Sequence, residues 1–541
     1  MEPHAQSATA LVAEYACPSV FFTALLACVA STIIYRIFFH PLRKIPGPFV
    51  ASFTELWRTR RYFLGNWHQD ILDLHRKYGP VVRLAPNEVS FMDKDALVAV
   101  YGHIKGTKKA RWTLTSAGPP HSTDCDIARQ TGWYDTWQIP NQDNSFFNST
   151  DPREHSFLRK RVAATYSMTA ILSMEPQIQE VADVLWSRFG DFARRNETVD
   201  LCHWANYFAF DVVGKLALGG PIGFIEAGAD PNGIIAAVHN GFFWASNMGY
   251  LPGQSKLLFN PLTQFLVSTF GGKGAFAHFN TWLADQLAAR RARGPPKDGA
   301  KGDMLDHFIA MKDPDGRPAG DRGVLVEGSN IIGAGADTTS IGIRSVLGQL
   351  LLHADAYARV QREVDAAYAA RGLSDAPGAG GIPYDVAGAL PFLNACVREA
   401  LRLHPSILWQ LPREAPPQGV SVRGYYVPPG ATVSISPLAH NRCPEVFGDD
   451  ADAWRPERWI LGEGSDEATL RDMNKFDTTF GYGSRTCVGK NLALVEIHKF
   501  IAQLLHQFGV ELVNKDRPWV TRSQWFSYQA DMFVKIKERA A

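Results

Sequence analysis

The longest uncharged apolar stretch of the chain lies near its N-terminus, from Tyr15 to Tyr35. Because about twenty apolar residues span the hydrocarbon core of a bilayer, this stretch predicts one transmembrane anchor over residues 15–35. The flanking charges are asymmetric, with two acidic residues before the stretch and three basic residues after it: Glu2, Glu14, Arg36, Arg43 and Lys44. The positive-inside rule then places residues 1–14 on the lumenal side and the rest of the chain in the cytosol.

A cleaved signal peptide is the alternative for the same stretch, with Cys28–Ala30 as a candidate cleavage site. Its leading segment is acidic rather than basic, which argues against that alternative. Residues 36–48 are basic and rich in proline, so they predict a stiff, non-helical hinge. Residues 49–541 then form the body of the protein.

The pattern of the body is mostly helical. Residues 176–287 contain helical segments broken by glycine-rich turns, and Val324–Leu352 is a long, mostly apolar helical stretch. Short strands are predicted at Gly79–Leu84, at Glu88–Phe91 and at Tyr425–Ile435, where β-branched and aromatic residues lie between turn residues.

Composition changes this picture only by exclusion. The net charge of +1 over 541 residues argues against a nucleic-acid-binding protein, which normally carries a basic excess. The seven cysteines are scattered without the paired spacing of a zinc site. An odd, unclustered set of cysteines fits a reducing compartment better than a disulfide framework.

Cys487 stands in the most chemically suggestive setting. Three glycines and Arg485 surround it, and the apolar helical stretch Asn491–Leu505 follows directly. A thiolate binds soft metals, and a helix N-terminus lowers the pKa of a thiol. The other interpretation is a glycine-rich turn that holds a buried cysteine.

Two glycines interrupt the long helical stretch at Gly333 and Gly335, at a cost of about 1 kcal/mol each relative to alanine. Thr338 can hydrogen-bond back to the carbonyl of Ala334 and loosen the helix there. A charged Asp337 beside such a groove needs a partner or water if it is buried. The alternative is a core helix softened by glycine, with Asp337 exposed.

Two polar pairs share helix faces. His155 and Arg159 lie four residues apart after the helix-start signal Asp151-Pro152, and Glu399 and Arg402 lie three apart. On surfaces such pairs contribute little to stability.

These stretches together resemble the cytochromes P450. The resemblance rests on the haem-loop pattern Phe480-x-x-Gly483-x-Arg485-x-Cys487-x-Gly489, on Ala334-Gly-x-Asp-Thr-Thr339 and on Glu399-x-x-Arg402. With the anchor and hinge it covers essentially the whole chain. It implies a mainly α P450 fold with a small β-rich lobe, preceded by a single N-terminal transmembrane helix, and haem b (iron protoporphyrin IX) bound through Cys487 as the axial thiolate ligand.

The resemblance also assigns roles to other residues. It implies proton delivery to bound oxygen by Asp337 and Thr338. The implied cofactor-binding residues are Cys487, Arg485, Arg413, Arg159, His155, Phe480 and Gly481. The implied structural network is Glu399, Arg402 and Arg458. The implied substrate pocket is Ile331, Ala334, Thr338, Ile407, Leu408, Trp409 and Phe526. One departure is Asn441-Arg-Cys-Pro444, where the family usually has His-Arg-Asp/Asn-Pro.

The implied reaction is insertion of one oxygen atom from O2 into an apolar small molecule. The closest resemblance is to fungal, membrane-bound (microsomal) P450 monooxygenases of secondary metabolism, which act at the endoplasmic reticulum membrane. The chain has no strand–GxGxxG–helix fingerprint of its own, so electrons come from NADPH through a partner reductase, with cytochrome b5 as a second candidate donor. Lys160, Arg161 and Lys490 are candidates for the docking patch. Two alternatives remain: a thiolate-haem isomerase or dehydratase that needs no O2, and a non-catalytic haem-binding membrane protein.

Overall fold

The computed structural model describes residues 18–102, 129–138, 142–251, 253, 260–262, 265, 275–294 and 302–539. The predicted lumenal segment 1–14 and the first three residues of the predicted anchor lie outside the described residues.

The first described element is the apolar helix Pro18–Ile34, which continues as a π-helical turn, Tyr35–Phe39. The segment Val20–Phe39 is long and apolar enough to cross a membrane. Its side chains are exposed, among them those of Phe21 and Leu26. An exposed apolar helix is not a core helix of the folded body, so this segment fits membrane anchoring.

The hinge corrects one prediction, because part of it is helical. Pro41–Lys44 forms a single 3-10 turn. The backbone N–H of Leu42 donates to Nδ1 of His40 at 3.1 Å, which caps the turn, and Pro41 occupies the first position. Proline fits that position because its fixed φ suits the first turn of a helix and no N–H is lost there.

Helices make up most of the body. Their bounds are Leu56–Leu64, Trp67–Tyr78, Lys94–Tyr101, Pro152–Ala163, Met168–Ser173, Glu175–Arg195, Leu201–Leu218, Phe224–Ala227, Ile234–Met248, Ala275–Arg293, Met304–Ala310, Asp321–Leu352, Ala354–Arg371, Tyr384–Ala387, Pro391–Leu403, Pro437–His440, Pro444–Phe447, Glu467–Phe476 and Lys490–Gln507. Short 3-10 turns lie at Phe49–Ser52, Gly132–Trp137, Ala164–Tyr166, Pro456–Trp459 and Gly483–Arg485.

Strands form a small β-rich part. Their bounds are β1 Val81–Ala85, β2 Glu88–Phe91, β3 Arg129–Gln130, β4 Thr198–Asp200, β5 Arg413–Glu414, β6 Val420–Val422, β7 Tyr425–Val427, β8 Thr432–Ile435, β9 Phe508–Leu512, β10 Val520–Gln524, β11 Phe526–Ala530 and β12 Phe533–Glu538. The largest sheet has the order β1-β2-β8-β5-β3, and the smaller ones are β4-β12-β9, β10-β11 and β6-β7. The prediction of a mainly α fold with a small β-rich lobe is therefore confirmed.

The helix Asp321–Leu352, called the long helix below, crosses the main hydrophobic core. It packs along Leu201–Leu218 and also contacts Lys490–Gln507 and Pro391–Leu403. Its glycines have a steric reason. A Cβ on Gly333 would lie 2.9 Å from the Phe242 ring, and one on Gly335 would lie 3.1 Å from Val213. The glycines thus allow neighbouring helices to approach the middle of the long helix closely.

Candidate active site

Cys487 lies on a tight loop, residues 480–489, which we call the Cys487 loop. The backbone N–H of Cys487 donates to the carbonyl of Phe480 at 2.8 Å and closes the loop. Gly483 has a φ of +72°, and a Cβ there would lie 1.8 Å from the carbonyl oxygen of Tyr101. Only glycine fits at this position, since both the backbone conformation and the contact exclude a side chain.

The same tyrosine also contacts the segment that leads into β5. The Tyr101 hydroxyl donates to the carbonyl of Leu411 at 2.6 Å and accepts from the N–H of Ile435 at 3.2 Å. The guanidinium group of Arg413 lies 4.9 Å from the centre of the Tyr101 ring. Tyr101 therefore joins the Cys487 loop to the β-rich lobe.

The thiol of Cys487 is exposed, but to an internal cavity rather than to the outer surface. Burial raises the pKa of this thiol, and the backbone N–H groups of Gly489 and Lys490 and the Arg159 charge lower it only in part. The sequence-based expectation that the helix N-terminus lowers this pKa is thus outweighed by enclosure. A thiol held here becomes a thiolate when it gains a further positive partner, and a metal ion is one.

The cavity has a volume of about 560 Å³, within the range of cofactor and small-molecule sites. It brings together most of the predicted site residues: His155, Arg159, Ile331, Ala334, Thr338, Ile407, Arg413, Phe480, Gly481, Arg485, Cys487 and Phe526. Several further aromatic side chains also line it: Trp137, Phe147, Phe242, Trp244 and Trp525.

Two predicted pocket residues lie elsewhere. Leu408 and Trp409 are buried in an aromatic cluster behind the cavity wall, where the Trp409 ring lies 4.3 Å from that of Tyr62. The prediction placed three consecutive residues, beginning with Ile407, in the pocket. In this irregular segment only Ile407 faces the cavity, while the two residues that follow fill the core behind it.

A cluster of cationic side chains forms one part of the cavity wall. It consists of Arg159 on the helix Pro152–Ala163, Arg413 on β5 and Arg485 on the Cys487 loop, and His155, from the same helix as Arg159, lies among them. The helix begins as predicted, with Asp151 Oδ1 accepting from the N–H groups of Arg153 and Glu154. His155 and Arg159 share one face of this helix.

The charges in this cluster act on one another. Burial, followed by the charges of Arg485, Arg159 and Arg413, lowers the pKa of His155 to about 4. Burial and the charges of Arg413 and Arg159 also lower the pKa of Arg485 to about 10. Within the described part of the chain, none of these arginines has a carboxylate partner; Arg485 donates to the carbonyls of Phe146 and Ser149 at 3.3 and 2.9 Å. A concentrated positive site of this kind suits an anionic ligand group.

The long helix forms another part of the wall. Thr338 Oγ1 donates to the carbonyl of Ala334 at 2.7 Å, the back-bond expected from the sequence. Ala334 and Thr338 line the cavity, but Asp337 does not. The Asp337 side chain is completely enclosed, and its Oδ1 lies 2.7 Å from Nε2 of His239. The sequence analysis did not identify His239, because 98 residues separate it from its partner.

Behind the Cys487 loop, Glu399 joins two buried arginines. Arg402 donates to both carboxylate oxygens of Glu399 at 2.8 Å, and Arg458 Nε donates to Oε1 at 2.9 Å. Burial alone would raise the pKa of Glu399, but these hydrogen bonds and charges lower it. None of the three side chains reaches the cavity, so their contacts are structural.

Asn441, where this chain departs from the usual family pattern, connects to the same region. Its Oδ1 accepts from the backbone N–H of Thr478 at 3.0 Å and from the Thr478 hydroxyl at 2.7 Å. Thr478 directly precedes the segment that leads into the Cys487 loop. The unusual residue therefore retains hydrogen bonds that hold this segment in place.

Arg161 corrects the predicted docking patch. Its side chain is nearly buried, and its Nη2 donates to Glu327 at 3.0 Å. Lys160 and Lys490 are exposed. Helix periodicity explains the difference, since Arg161 lies on the face of its helix that turns towards the long helix.

The described residues fit haem. One wall presents a thiol whose pKa is raised by burial, another presents three arginines suited to two propionate groups, and the remaining walls are largely apolar. Cys487 would bind the iron, and Arg159, Arg413, Arg485 and His155 would bind the propionates.

Comparison with known proteins identifies the family of the chain. The cytochrome P450 family matches residues 45–538. Pisatin demethylase of Fusarium vanettenii is 31% identical over 513 residues, which are 94% of this chain and 92% of that protein. Cytochrome P450 monooxygenase gsfF of Penicillium aethiopicum is 31% identical over 536 residues, covering 96% of this chain and 98% of that protein.

A third fungal relative is similar to the same extent. Cytochrome P450 monooxygenase cicH of Emericella nidulans is 30% identical over 526 residues, which are 94% of this chain and 96% of that protein. Because the family matches most of the chain and these relatives align over nearly their whole length, the chain belongs to the cytochrome P450 family and is an oxidoreductase of the cytochrome P450 monooxygenase kind.

Proposed function

We propose that this protein inserts one oxygen atom from O2 into an apolar small molecule, with electrons from NADPH delivered by a partner reductase. The observation that carries the proposal is that the Cys487 thiol and the Thr338 hydroxyl line the same largely apolar cavity. When bound, haem would supply the activation of O2 at an iron with a thiolate ligand. The second oxygen atom leaves as water, which requires two protons and two electrons.

The chain's own residues would divide the remaining work. The cationic cluster neutralises the propionates and fixes the orientation of the cofactor. The aromatic side chains of the cavity exclude water and hold an apolar substrate against the long helix. Asp337 and Thr338 supply protons on the distal side, and the Thr338 hydroxyl is the nearer of the two to the cavity.

The N-terminal helix supports a single-pass anchor in the endoplasmic reticulum membrane, with the catalytic domain in the cytosol. The fungal relatives support a place in secondary-metabolite oxidation.

The direct test of the proposed reaction combines the full-length protein with NADPH–cytochrome P450 reductase and fungal extracts. We expect NADPH- and O2-dependent formation of a product heavier by one oxygen atom, and 18O2 should label it. Product formed equally well without O2 would instead support an isomerase or dehydratase.

Thr338→Ala tests the distal proton role. Without the hydroxyl, protons should reach the distal side more slowly, and reduced oxygen should escape as peroxide. We expect the ratio of product formed to NADPH oxidised to fall at least about 10-fold, given that general acid catalysis typically contributes more than that. The measurement is product, NADPH and hydrogen peroxide in the same reaction. Thr339→Ser on the next residue is the matched control, because Thr339 lines the same cavity and serine keeps the hydroxyl. Unchanged coupling in Thr338→Ala would contradict the role.

Arg159→Gln tests the cationic cluster. Arg159 lines the cavity and has no hydrogen bond or ion pair to the described part of the chain, so its removal should leave protein contacts intact. A hydrogen bond to a charged group contributes about 1.5–3 kcal/mol, so haem should transfer to a haem-scavenging protein about 10- to 100-fold faster. Arg153→Gln, exposed on the same helix, is the control and should behave like wild type. Equal transfer rates for both variants would contradict propionate binding by Arg159.

A further inference from the structure

We propose that His239 carries protons from solvent to Asp337, as the outer member of a His239–Asp337–Thr338 relay. This inference rests on the oxygen-dependent reaction proposed above and identifies a residue of this chain for one of its steps. His239 belongs to the helix Ile234–Met248, outside every sequence pattern that identified the site.

The first argument is the contrast in exposure across one hydrogen bond. Asp337 is completely enclosed, whereas the His239 side chain is 34% exposed, and their Nε2 and Oδ1 atoms are 2.7 Å apart. An enclosed carboxylate cannot take protons from water directly. The imidazole is in contact with both the carboxylate and the solvent, and histidine is the side chain that exchanges protons most readily near neutral pH.

The second argument is the position of Asp337 relative to the cavity. Its neighbour Thr338 lines the cavity, but Asp337 itself is turned towards His239. Its second oxygen, Oδ2, is buried and has no hydrogen-bond partner in the described part of the chain. This carboxylate oxygen is available to pass a proton towards the neighbouring Thr338 after a rotation of the Asp337 side chain.

Side chains that reach from one helix to the other build the contact. On the long helix, Gly333 and Asp337 are four residues apart and share one face. On the facing helix, Phe242 and His239 are three apart and share one face. Gly333 lacks a Cβ where the end of the Phe242 ring packs, and His239, on the same face of its helix as Phe242, lies within hydrogen-bonding distance of Asp337.

Two other ionisable side chains surround this contact. The Tyr528 ring on β11 lies 4.7 Å from that of His239, and burial together with the Asp337 charge raises the pKa of Tyr528 well above its usual value. Arg344 lies about two turns beyond Asp337 on the long helix, and it donates to the hydroxyl of Ser340 and to the carbonyl of Gln529. Burial therefore disfavours ionisation of Tyr528, and His239 is the member of the hydrogen-bonded pair whose side chain reaches solvent.

The relay step moves one proton and no electrons. Protonated His239 transfers the proton on Nε2 to Oδ1 of Asp337, which leaves a neutral imidazole and a carboxylic acid. The acid rotates and gives the proton to the Thr338 side of the cavity, which restores the carboxylate. Water then returns one proton to His239, so each cycle of the relay moves one proton from solvent to the cavity.

His239→Gln separates proton transfer from structure. Glutamine can still donate a hydrogen bond to Asp337, but its amide group does not take up or release a proton near neutral pH. We expect the product formed per NADPH to fall about 10-fold, less than the roughly 10²–10⁴-fold contribution of a direct general acid, because water can replace part of the relay. The solvent isotope effect on the reaction should rise. His203→Gln, an exposed histidine beside Asp200, is the matched control and should leave both quantities unchanged.

A second reaction with hydrogen peroxide in place of NADPH and O2 distinguishes failure of the relay from failure of the proposed function. Peroxide supplies the oxygen, electrons and protons together, so it bypasses the relay. His239→Gln should match wild type with peroxide and differ from it only with NADPH and O2. If wild type itself forms no product with peroxide or with NADPH, the proposed function fails. If wild type forms product and His239→Gln keeps normal coupling and a normal isotope effect with NADPH, the relay alone is overturned.

A measurement on the resting protein tests the solvent contact without turnover. Diethyl pyrocarbonate modifies imidazoles that water reaches, and mass spectrometry identifies the modified residue. His239 should react much faster than His440, which is fully buried. Modification of His239 no faster than that of His440 would remove the route from solvent and overturn the relay.

Discussion

Cys487→Ser should abolish the red-shifted Soret band of the reduced, CO-bound protein and nearly all product formation. Cys487 is the only cysteine lining the described part of the cavity, and a serine hydroxyl cannot replace a thiolate as an electron donor to iron. Loss of an outer-shell partner typically costs about 10- to 100-fold in metal-site activity, so loss of the ligand itself should cost at least about 100-fold.

Cys443→Ser is the matched control for that result. Cys443 is buried elsewhere, with its sulfur 3.9 Å from the carbonyl of Met92, and it does not line the cavity. Its serine variant should keep the wild-type CO spectrum and turnover. A normal spectrum in Cys487→Ser, or its loss in Cys443→Ser, would contradict the assignment of the ligand.

Glu399→Gln should reduce the free energy of unfolding by about 3–5 kcal/mol, the usual cost of removing one partner of a buried ion pair. The substitution preserves size but leaves Arg402 and Arg458 without the carboxylate that both contact. Such a loss is a large share of the about 5–15 kcal/mol that stabilises a typical protein. The measurement is the urea midpoint followed by tryptophan fluorescence.

Glu463→Gln provides the comparison on the surface. Glu463 pairs with Arg359 at 2.9 Å, but both side chains are largely solvated. Exposed pairs contribute about 0–1 kcal/mol, so the midpoint should change little. A Glu399→Gln midpoint equal to that of Glu463→Gln would show that the buried network does not hold the fold together.

The sequence predicted the fold class and most of the cavity because the motif residues are constrained by local geometry. Cys487, Arg485 and Gly483 lie within one short loop, and Thr338 bonds to a residue of its own helix. Residues this close together in the chain are held near one another by the local backbone, whatever the tertiary packing. The N-terminal apolar helix was likewise predictable, since length and composition decide it.

What the sequence missed depends on tertiary packing. Ile407 and Trp409 are two residues apart in an irregular segment, so no period indicates which of them faces the cavity. The salt bridge of Arg161 and the contact of Asp337 with His239 join residues far apart in the chain. No local pattern specifies such pairs; the packing of whole helices does.

Tyr101 gives the site a common reference point. Its carbonyl oxygen packs against Gly483 of the Cys487 loop, its hydroxyl donates to the carbonyl of Leu411, and its ring lies against the guanidinium group of Arg413. The proposed axial ligand and one of the charges proposed to orient the cofactor are therefore positioned by contacts with the same residue, although they lie on different elements. Thermal displacement of the β-rich lobe would carry both together, so the distance between iron ligand and cation would vary less than the position of either.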